Sequence, residues 1–570
     1  MRARVPAADV GPIAAQIEAA SGTEKVRTLS RSFAAASPET VIAILEEAAK
    51  FADAHLAELN DKGDAEGCRL ADGRVKTATG HRAAWEAFVE GGWGTLDAPE
   101  DVGGQGLPLA IAAAVQEVFD RSCPAFGMLP VPQRSAARLI AAHGSTAIKE
   151  EWLTRLVSGE WGATICISEA DAGSDVGRIR TRAVPIEDGM WAISGEKSWI
   201  SFGDHDLTSR IGHCVLARTP GAAAGGAGLS LFLVPDRFED GQRNAVQVRR
   251  IEEKMGLHAS PTCTLGFEGA RGAMLGTEGR GLAEMFVMIT NMRLSVGVQG
   301  LGIASGCADI ALAYAQDRRQ GGPLDTPVTI ASHPDVQRQL LNMTARVVVL
   351  RGLALTLANH ADIAAHDPDV EARDDAAALV QWLLPIVKTT GGEYAFETAD
   401  MAIQVLGGAG YTREWPIEQA LRDARVLTIF EGTTGIQAQD LLHRRLLRGN
   451  GRGLEVFVRE ARAAVTSPRF SRALDLFEST VADLRTWRER PEMLDAGATP
   501  FLHLAALVAT GWIAAGLAGL PGDDRVARNL RASADHWLGD IDDRAALLSA
   551  QALGGAELAG HFASLDAGPA

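Results

Sequence analysis

The hydrophobic rhythm of this chain changes twice, and a chain that does so cannot fold as one uniform architecture. From residue 38 to about 159, apolar side chains recur at helical spacing, as in VIAILEEAAKFADAHLAEL and LAIAAAVQEVFD, the mark of helices with one face in a core. A Gly/Pro-rich loop, GGWGTLDAPEDVGGQGLP, separates two of them. From 162 to about 274 the rhythm gives way to short runs rich in Val, Ile, Thr and Trp: GATICIS, RTRAV, MWAISGEKSWIS, GHCVLAR, LSLFLVP, AVQVRRI and CTLGFEG. These predict a β domain of six or seven strands. From 281 helices return, first a long one stopped by Gly321, Gly322 and Pro323, then others over 335–365, 374–387, 391–405 and 435–447. An Asn450-Gly451-Arg452-Gly453 linker opens a last helical block. The expectation is an α+β protein with an N-terminal helical domain (1–159), a central β domain (160–276), a helical bundle (277–450) and a C-terminal helical extension (451–570).

Charge and cysteine usage narrow the function. Lys plus Arg total 55 against 72 for Asp plus Glu, and the resulting −17 repels nucleic acid and anionic membrane surfaces. With 46% apolar and 22% charged residues, extended disorder and collagen-like or disulfide scaffolds are excluded. Six cysteines lie scattered without C-x-x-C spacing, so they read as reduced structural thiols rather than zinc or redox motifs. The first residues lack a continuous apolar stretch and carry Asp9 and Glu18, unlike a signal peptide, which predicts a cytoplasmic protein. One segment tests that expectation. FLHLAALVATGWIAAGLAGL, residues 501–520, has the length of a membrane span and no Asp, Glu, Lys or Arg. Its Ala and Gly content and lack of basic flanks favour a buried helix over a span or membrane-surface contact.

The glycine string Gly300-x-Gly302-x-x-x-Gly306 and the run Gly407-Gly408-Ala409-Gly410 superficially suggest dinucleotide turns. Gly300 sits inside a predicted helix with no strand before it, so close helix packing is the better reading. H-E-x-x-H, G-x-S-x-G and Walker patterns do not occur, and no metal is expected. Two constellations remain. Ile165-Cys166-Ile167-Ser168-Glu169-Ala170-Asp171-Ala172-Gly173-Ser174-Asp175 runs from a strand into a Gly/Ser turn, and Gly195-Glu196-Lys197-Ser198-Trp199-Ile200-Ser201 follows. Together they offer free N–H groups, hydroxyls and a flat indole for an anionic aromatic cofactor, or else form a surface turn with a core Trp. The second constellation places Glu431 after an apolar run, Ile429-Phe430, and before Gly432-Thr433-Thr434-Gly435. A low-dielectric pocket there would raise its pKa toward that of a working base; the plainer alternative is an acid favoured at a helix start.

With these residues in view the chain resembles the acyl-CoA dehydrogenase family. The resemblance covers roughly 88–445 and rests on motifs in chain order: PEDVGGQGLP, ISEADAGSD, WAISGEKSWIS, A-x-x-R-x-Q ending near Gln320, QVLGGAGY, RDAR and FEGT. EEKMGLHASPTCTLGFEGA, HPDVQRQLL, EGTTGIQAQDLL and the C-terminal block are similar to the long subfamily that includes 3-(methylthio)propanoyl-CoA dehydrogenase. The resemblance implies helical N-terminal, central β-barrel-like and helical-bundle domains with bound FAD. It implies Glu431 as catalytic base. Ile167, Ser168, Gly173 and Ser174 match the strand and turn on the flavin, and Trp199, Ile200 and Ser201 match the indole and its followers beside the ring. Arg318 matches an arginine reaching the FAD pyrophosphate of a neighbouring subunit, and Gln404 and Gly408 match contacts to that same neighbour's cofactor. Thr433 matches a hydroxyl near the ADP portion of FAD. Ser174, Arg293 and Phe430 are expected beside the substrate.

There are departures from the family pattern. Ser168-Glu169-Ala170 stands where T-E-P is frequent, Arg318-Arg319-Gln320-Gly321-Gly322 replaces R-x-x-F-G and lacks its aromatic contact, and Gly435 occupies a position often held by glutamine. Some branches place the base just before an arginine on the long helix, where this chain has Met292 before Arg293; a methionine cannot be a base. The activity implied is α,β-dehydrogenation of an acyl-CoA to the trans-2-enoyl-CoA, with electrons passed to an electron-transferring flavoprotein, by a homo-oligomer that is a dimer or a tetramer. An oxygen-using acyl-CoA oxidase would share the motifs. A DNA-associated relative would need a basic C-terminal groove, which the −17 charge disfavours.

Overall fold

Glycines that look like helix breakers instead set how closely the long helices approach. The computed structural model describes residues 3–449, 451–555, 557, 558 and 561, so Asn450 of the expected linker and residues 562–570 of the expected terminal block lie outside the described residues. Within it the chain forms two compact units. One comprises Glu47–Leu107 and Val118–Ser295; the other comprises Met1–Glu46, Pro108–Glu117 and Val296–Ala570.

The first unit holds every strand of the described residues. Strands β1 (Arg69–Ala71) and β2 (Arg74–Lys76) form a hairpin turned by Asp72 and Gly73, both with positive φ. That hairpin interrupts what the sequence pattern presents as continuous helix, although Asp-Gly between short strands is its usual signal. It is tied down by Asp204, which takes hydrogen bonds from Arg74 Nε at 2.9 Å and from the Val75 N–H at 2.7 Å. The seven expected strands all form: β3 (Trp161–Cys166), β4 (Arg182–Pro185), β5 (Trp191–Ser201), β6 (Arg210–Arg218), β7 (Leu229–Pro235), β8 (Val246–Ile251) and β9 (Thr262–Leu275). Their order is β3-β6-β4-β5-β9-β7, with β8 on β9, and an extra β6–β7 pairing closes the sheet on itself. The expected barrel-like character arises from that closure. Its interior is Ile193, Val215, Ala217, Phe232, Val234, Leu265 and Phe267. Leu216, Leu231 and Leu233 face outward onto a second core with Trp152, Leu156 and Met288. Strands buried on both faces need continuous apolar runs, which is why β6 and β7 read so plainly. Strand β9 extends past its expected end because Gly269, at φ 74°, lies in a register shift that lets pairing resume at Ala270.

The second unit is helical. Pro334–His366 and Val370–Leu406 pack along each other, and the second runs unbroken through Gly391 and Gly392, where two helices were expected. A Cβ on Gly300, in the helix Gly281–Asp317, would lie 2.1 Å from the Gly391 carbonyl oxygen, and one on Gly391 would lie 2.5 Å from the Gly297 oxygen. These glycines let two helix backbones touch; they do not end a helix. Three further helices, Val10–Ala19, Thr23–Arg27 and Arg31–Ala34, precede the first expected one. The first of them is held by Gln16, whose amide donates to the Val348 carbonyl at 2.7 Å and whose oxygen accepts from Arg351, itself paired with buried Glu117 at 2.6 Å. The stretch expected as one helix over 435–447 is the α-helix Thr434–Gln439 followed by a wider turn, Asp440–Arg448.

Among the described residues three helices, Gly281–Asp317, Pro334–His366 and Pro491–Ala518, are long and apolar enough to cross a membrane by length and composition alone. Their apolar windows are 83%, 78% and 83% buried inside the protein. The expected burial of 501–520 therefore holds: Phe501, Leu504, Val508 and Ala514 are fully enclosed at the centre of the terminal helices.

Gly300→Ala tests the close crossing. Overpacking against backbone costs about 1–3 kcal/mol or more, which exceeds the ~1 kcal/mol gained by replacing a helical glycine. The variant should unfold at a lower temperature than wild type in a thermal melt; an equal or higher midpoint would show that the helices are not held this close.

Candidate active site

In the β-rich unit, strand β3 ends at Cys166 and the chain folds back at once. Glu169 and Ala172 exchange backbone hydrogen bonds, each 3.1 Å, to make a tight turn. The Ser198 N–H donates to the Ser168 carbonyl at 2.9 Å, which fastens this turn to β5. Beneath it lies a buried ion pair. Lys197, fully enclosed, donates through Nζ to the Ile167 carbonyl at 2.9 Å and to Glu169 Oε1 at 2.8 Å. Glu169 also accepts from the Arg180 N–H, the Thr181 N–H and the Thr181 hydroxyl. Burial alone would raise the Glu169 pKa, but Lys197 and these donors hold it below its ordinary value. Neither Lys197 nor Glu169 was singled out from the sequence. A lysine within a strand run, two residues before a tryptophan, is the available signal.

Trp199 is displayed by a bulge. Lys197 pairs with Leu265 and Ile200 with Cys263, so β5 carries one residue more than β9 between those pairs. Trp199 has φ 66° and is 60% exposed, while Ile200 beside it is buried. A bulky residue in the left-handed region is a strained arrangement, costing about 1–3 kcal/mol, that the surrounding ladder must impose. Thus Ile167, Ser168, Trp199, Ile200 and Ser201 form one locally bonded group, with Gly173 and Ser174 exposed on the turn. Gly173 has ordinary φ, and a Cβ there would meet no protein atom within 4 Å. Neither backbone conformation nor packing demands a glycine, which fits a flat or phosphorylated group lying close against the main chain.

Glu431 lies in the helical unit. It has φ 54° and Gly432 has φ 89°, so two consecutive residues take the left-handed conformation. Both carbonyls of this turn are held. Gln437 Nε2 donates to the Glu431 oxygen at 3.0 Å, and the fully buried Lys388 donates through Nζ to the Gly432 oxygen at 2.7 Å. Thr433 caps the following helix, its hydroxyl accepting from the Ile436 N–H at 3.3 Å. Glu431 is half-buried, Phe430 packs on the helical core, and Ile429 is half-exposed. Gly392 explains why the turn can sit so close to the long helix: a Cβ there would meet the Leu427 backbone at 2.9 Å. Lys388 and Gln437 were not read from the sequence, since only the fold shows which carbonyls they meet.

The remaining expected residues lie elsewhere. Arg318, Gln404 and Gly408 are exposed; the Arg318 N–H donates to the carbonyl of Tyr314, whose ring meets Trp415 edge to face. About 24 Å of helix, at ~1.5 Å per residue, separates Lys388 from Gln404. Gln404 therefore lies far along the helix from the lysine that braces the Glu431 turn. Gly408, like Gly173, has ordinary φ and open space where a Cβ would stand. Met292 and Arg293 are both buried on the helix Gly281–Asp317.

Family models described as the acyl-CoA dehydrogenase N-terminal, middle and C-terminal domains match residues 38–160, 164–270 and 279–447. The chain belongs to the acyl-CoA dehydrogenase family, and it is an oxidoreductase enzyme. It is 40% identical to 3-methylmercaptopropionyl-CoA dehydrogenase of Ruegeria pomeroyi, over 85% of this chain and 86% of that protein. It is 38% identical to a broad-specificity linear acyl-CoA dehydrogenase of Mycobacterium tuberculosis over 64% of this chain and 62% of that one. An acyl-CoA dehydrogenase from Bacillus anthracis complexed with FAD shares the fold at a TM-score of 0.74 and 20% identity, covering 94% of this chain and 90% of that one.

Lys197→Met tests the buried pair. Leaving Glu169 enclosed without its cation should cost about 3–5 kcal/mol, read as a lower unfolding midpoint and reduced flavin content. Because the Glu169 pKa is depressed on folding, its stabilising effect is complete above the ordinary glutamate value and lost as pH falls through the depressed one. Wild-type stability and flavin content at pH 7 would refute the assignment.

Proposed function

We propose that Glu431 removes the α proton of an acyl-CoA thioester as the β hydrogen leaves as hydride, giving the trans-2-enoyl-CoA. FAD, when bound, supplies the hydride acceptor, and an electron-transferring flavoprotein then takes the electrons. The observation that carries this reading is the double left-handed turn at Glu431-Gly432, fixed by Lys388 and Gln437. A carboxylate on a braced turn keeps its aim, and positioned general-base catalysis is worth ~10²–10⁴-fold. The α C–H bond breaks, its electron pair becomes the new C=C π bond, and the proton stays on the Glu431 carboxylate. The Glu431 N–H hydrogen-bonds the thioester oxygen, a contact worth roughly 3 kcal/mol in a dry, preorganised site. Met292 is buried core, so the alternative base position offers no carboxylate.

Ile167, Ser168, Gly173, Ser174, Trp199, Ile200 and Ser201 hold the flavin and its ribityl chain, while Ser174, Arg293 and Phe430 contact substrate. Arg318 reaches the pyrophosphate of a neighbouring subunit's FAD, Gln404 and Gly408 contact that same cofactor, and the Thr433 hydroxyl lies near the ADP portion of FAD. The distance along the helix between Lys388 and Gln404 supports this division, because a homodimer lets the exposed trio serve a second cofactor. The enzyme acts in the cytoplasm. The Ruegeria relative makes 3-methylmercaptopropionyl-CoA the first member of a substrate panel.

Glu431→Gln keeps the size of the side chain and the backbone N–H. It should bind FAD and acyl-CoA nearly as wild type, leave the flavin oxidised on anaerobic mixing with substrate, and turn over at least ~10²-fold more slowly. Bleaching of the flavin at the wild-type rate would show that another group removes the proton.

Arg318→Ala should retain less FAD through dialysis and shift the oligomer toward monomer in sedimentation, because a planar guanidinium is suited to two-point phosphate contact. Full flavin occupancy with an unchanged oligomer would overturn its assignment. In the wild type, vigorous oxygen uptake without an added electron acceptor would reassign the enzyme as an oxidase.

A further inference from the structure

The helix Pro491–Ala518, beyond the residues matched by the family models, packs against the short helix Thr434–Gln439 that follows the Glu431 turn. A polar contact crosses from it at His503. His503 Nε2 lies 3.2 Å from Glu393 Oε1 and 3.1 Å from Oε2, and the Thr434 hydroxyl donates to the same Glu393 Oε1 at 3.3 Å. Glu393 and Lys388 sit on one helix, Val370–Leu406, and both reach the 432–434 segment. The imidazole and carboxylate are only 35% and 26% exposed. The hydrogen bond to Glu393 raises the His503 pKa despite burial, so the protonated ring is favoured beside the carboxylate. Glu397, one turn further, is occupied by Arg346 at 3.0 Å, which leaves Glu393 to His503 and Thr434.

We propose that His503 is a positioning residue for the dehydrogenation: through Glu393 and Thr434 it fixes the turn that presents Glu431, so the C-terminal extension takes part in aiming the base. This rests on Glu431 being the base. The arrangement has the form of a strut. Lys388 and Gln437 hold the carbonyls of the turn, while His503 and Glu393 hold the first residue of the helix leaving it. Without the imidazole, Glu393 is free to turn toward solvent and Thr434 loses its acceptor, and the left-handed pair at Glu431-Gly432 relaxes along the softest direction left to it. Misaiming a reacting group by a fraction of an ångström lowers the chemical step while leaving affinity nearly intact.

The test compares His503→Leu, His503→Gln and Thr434→Val in the full-length holoenzyme, with Glu431→Gln as reference. His503→Leu and Thr434→Val should keep wild-type FAD content and the wild-type dissociation constant for acyl-CoA, read from the flavin absorbance. Their anaerobic flavin reduction should slow by roughly 3–10-fold at saturating substrate. His503→Gln, whose amide nitrogen stands where Nε2 stood, should recover most of that loss. Wild-type reduction rates in both His503→Leu and Thr434→Val, or no recovery in His503→Gln, would overturn the strut. If His503→Leu does not fold, Thr434→Val decides alone. A wild-type reduction rate in Glu431→Gln would instead overturn the reading on which the strut rests.

Discussion

The approach of two helix backbones at Gly297, Gly300 and Gly391 underlies the functional geometry of the helical unit. With a side chain at Gly300 or Gly391 the helices would have to move apart. The neighbouring Gly392 lets the Leu427 backbone lie against the same helix, and four residues later the chain reaches Glu431. Lys388 then has only a short span to cover to the Gly432 carbonyl. Backbone contact, rather than side-chain interdigitation, makes this region stiff. A stiff support is what a left-handed glutamate requires, since such a residue persists only where its surroundings over-determine it.

A similar economy governs the β-rich unit. The turn after β3 and the bulge in β5 are separate pieces of chain, joined by the Lys197–Glu169 pair and the Ser198–Ser168 hydrogen bond. The pair is costly to desolvate, so its value lies in geometry: a buried cation accepts few arrangements of its partners, and each fixes where Trp199 points. Strain at Trp199 and at Glu431 is thus opposed in the same manner, by a fully enclosed lysine binding a main-chain carbonyl close by in the fold.

Much of this was legible in the residues. The seven strands of the sheet and the long helices followed from rhythm, because an apolar run buried on both faces or a periodic stripe is a local property. The hairpin at 69–76 was passed over because its strands are too short to alternate visibly and helices flank it. Gly391 was read as a boundary because a glycine pair is ambiguous in one dimension: it can end a helix or admit a neighbour, and only the neighbour's backbone decides. Glu431, Trp199 and the turn after Ile167 were named through motifs. Their supports, Lys197, Lys388, Gln437 and His503, carry no motif, since what makes each matter is a carbonyl or carboxylate distant in sequence.

The assembly of the helical unit from residues at both ends of the chain has a consequence for its biosynthesis. Its first helices leave the ribosome long before the helices they cover, and Gln16 must wait for Val348 and Arg351. In the interval the apolar helices Gly281–Asp317 and Pro334–His366 are exposed without their final partners, and Pro491–Ala518 emerges before Arg525–Leu538 and Ile541–Leu553, which pack on it. Such contacts close slowly, and the chain meanwhile presents long apolar surfaces to other nascent chains and to membranes. The order of the chain thus makes its passage through synthesis the exposed stage of its folding, and the alanines and glycines of the late helix leave that helix less apolar than a run of leucines would.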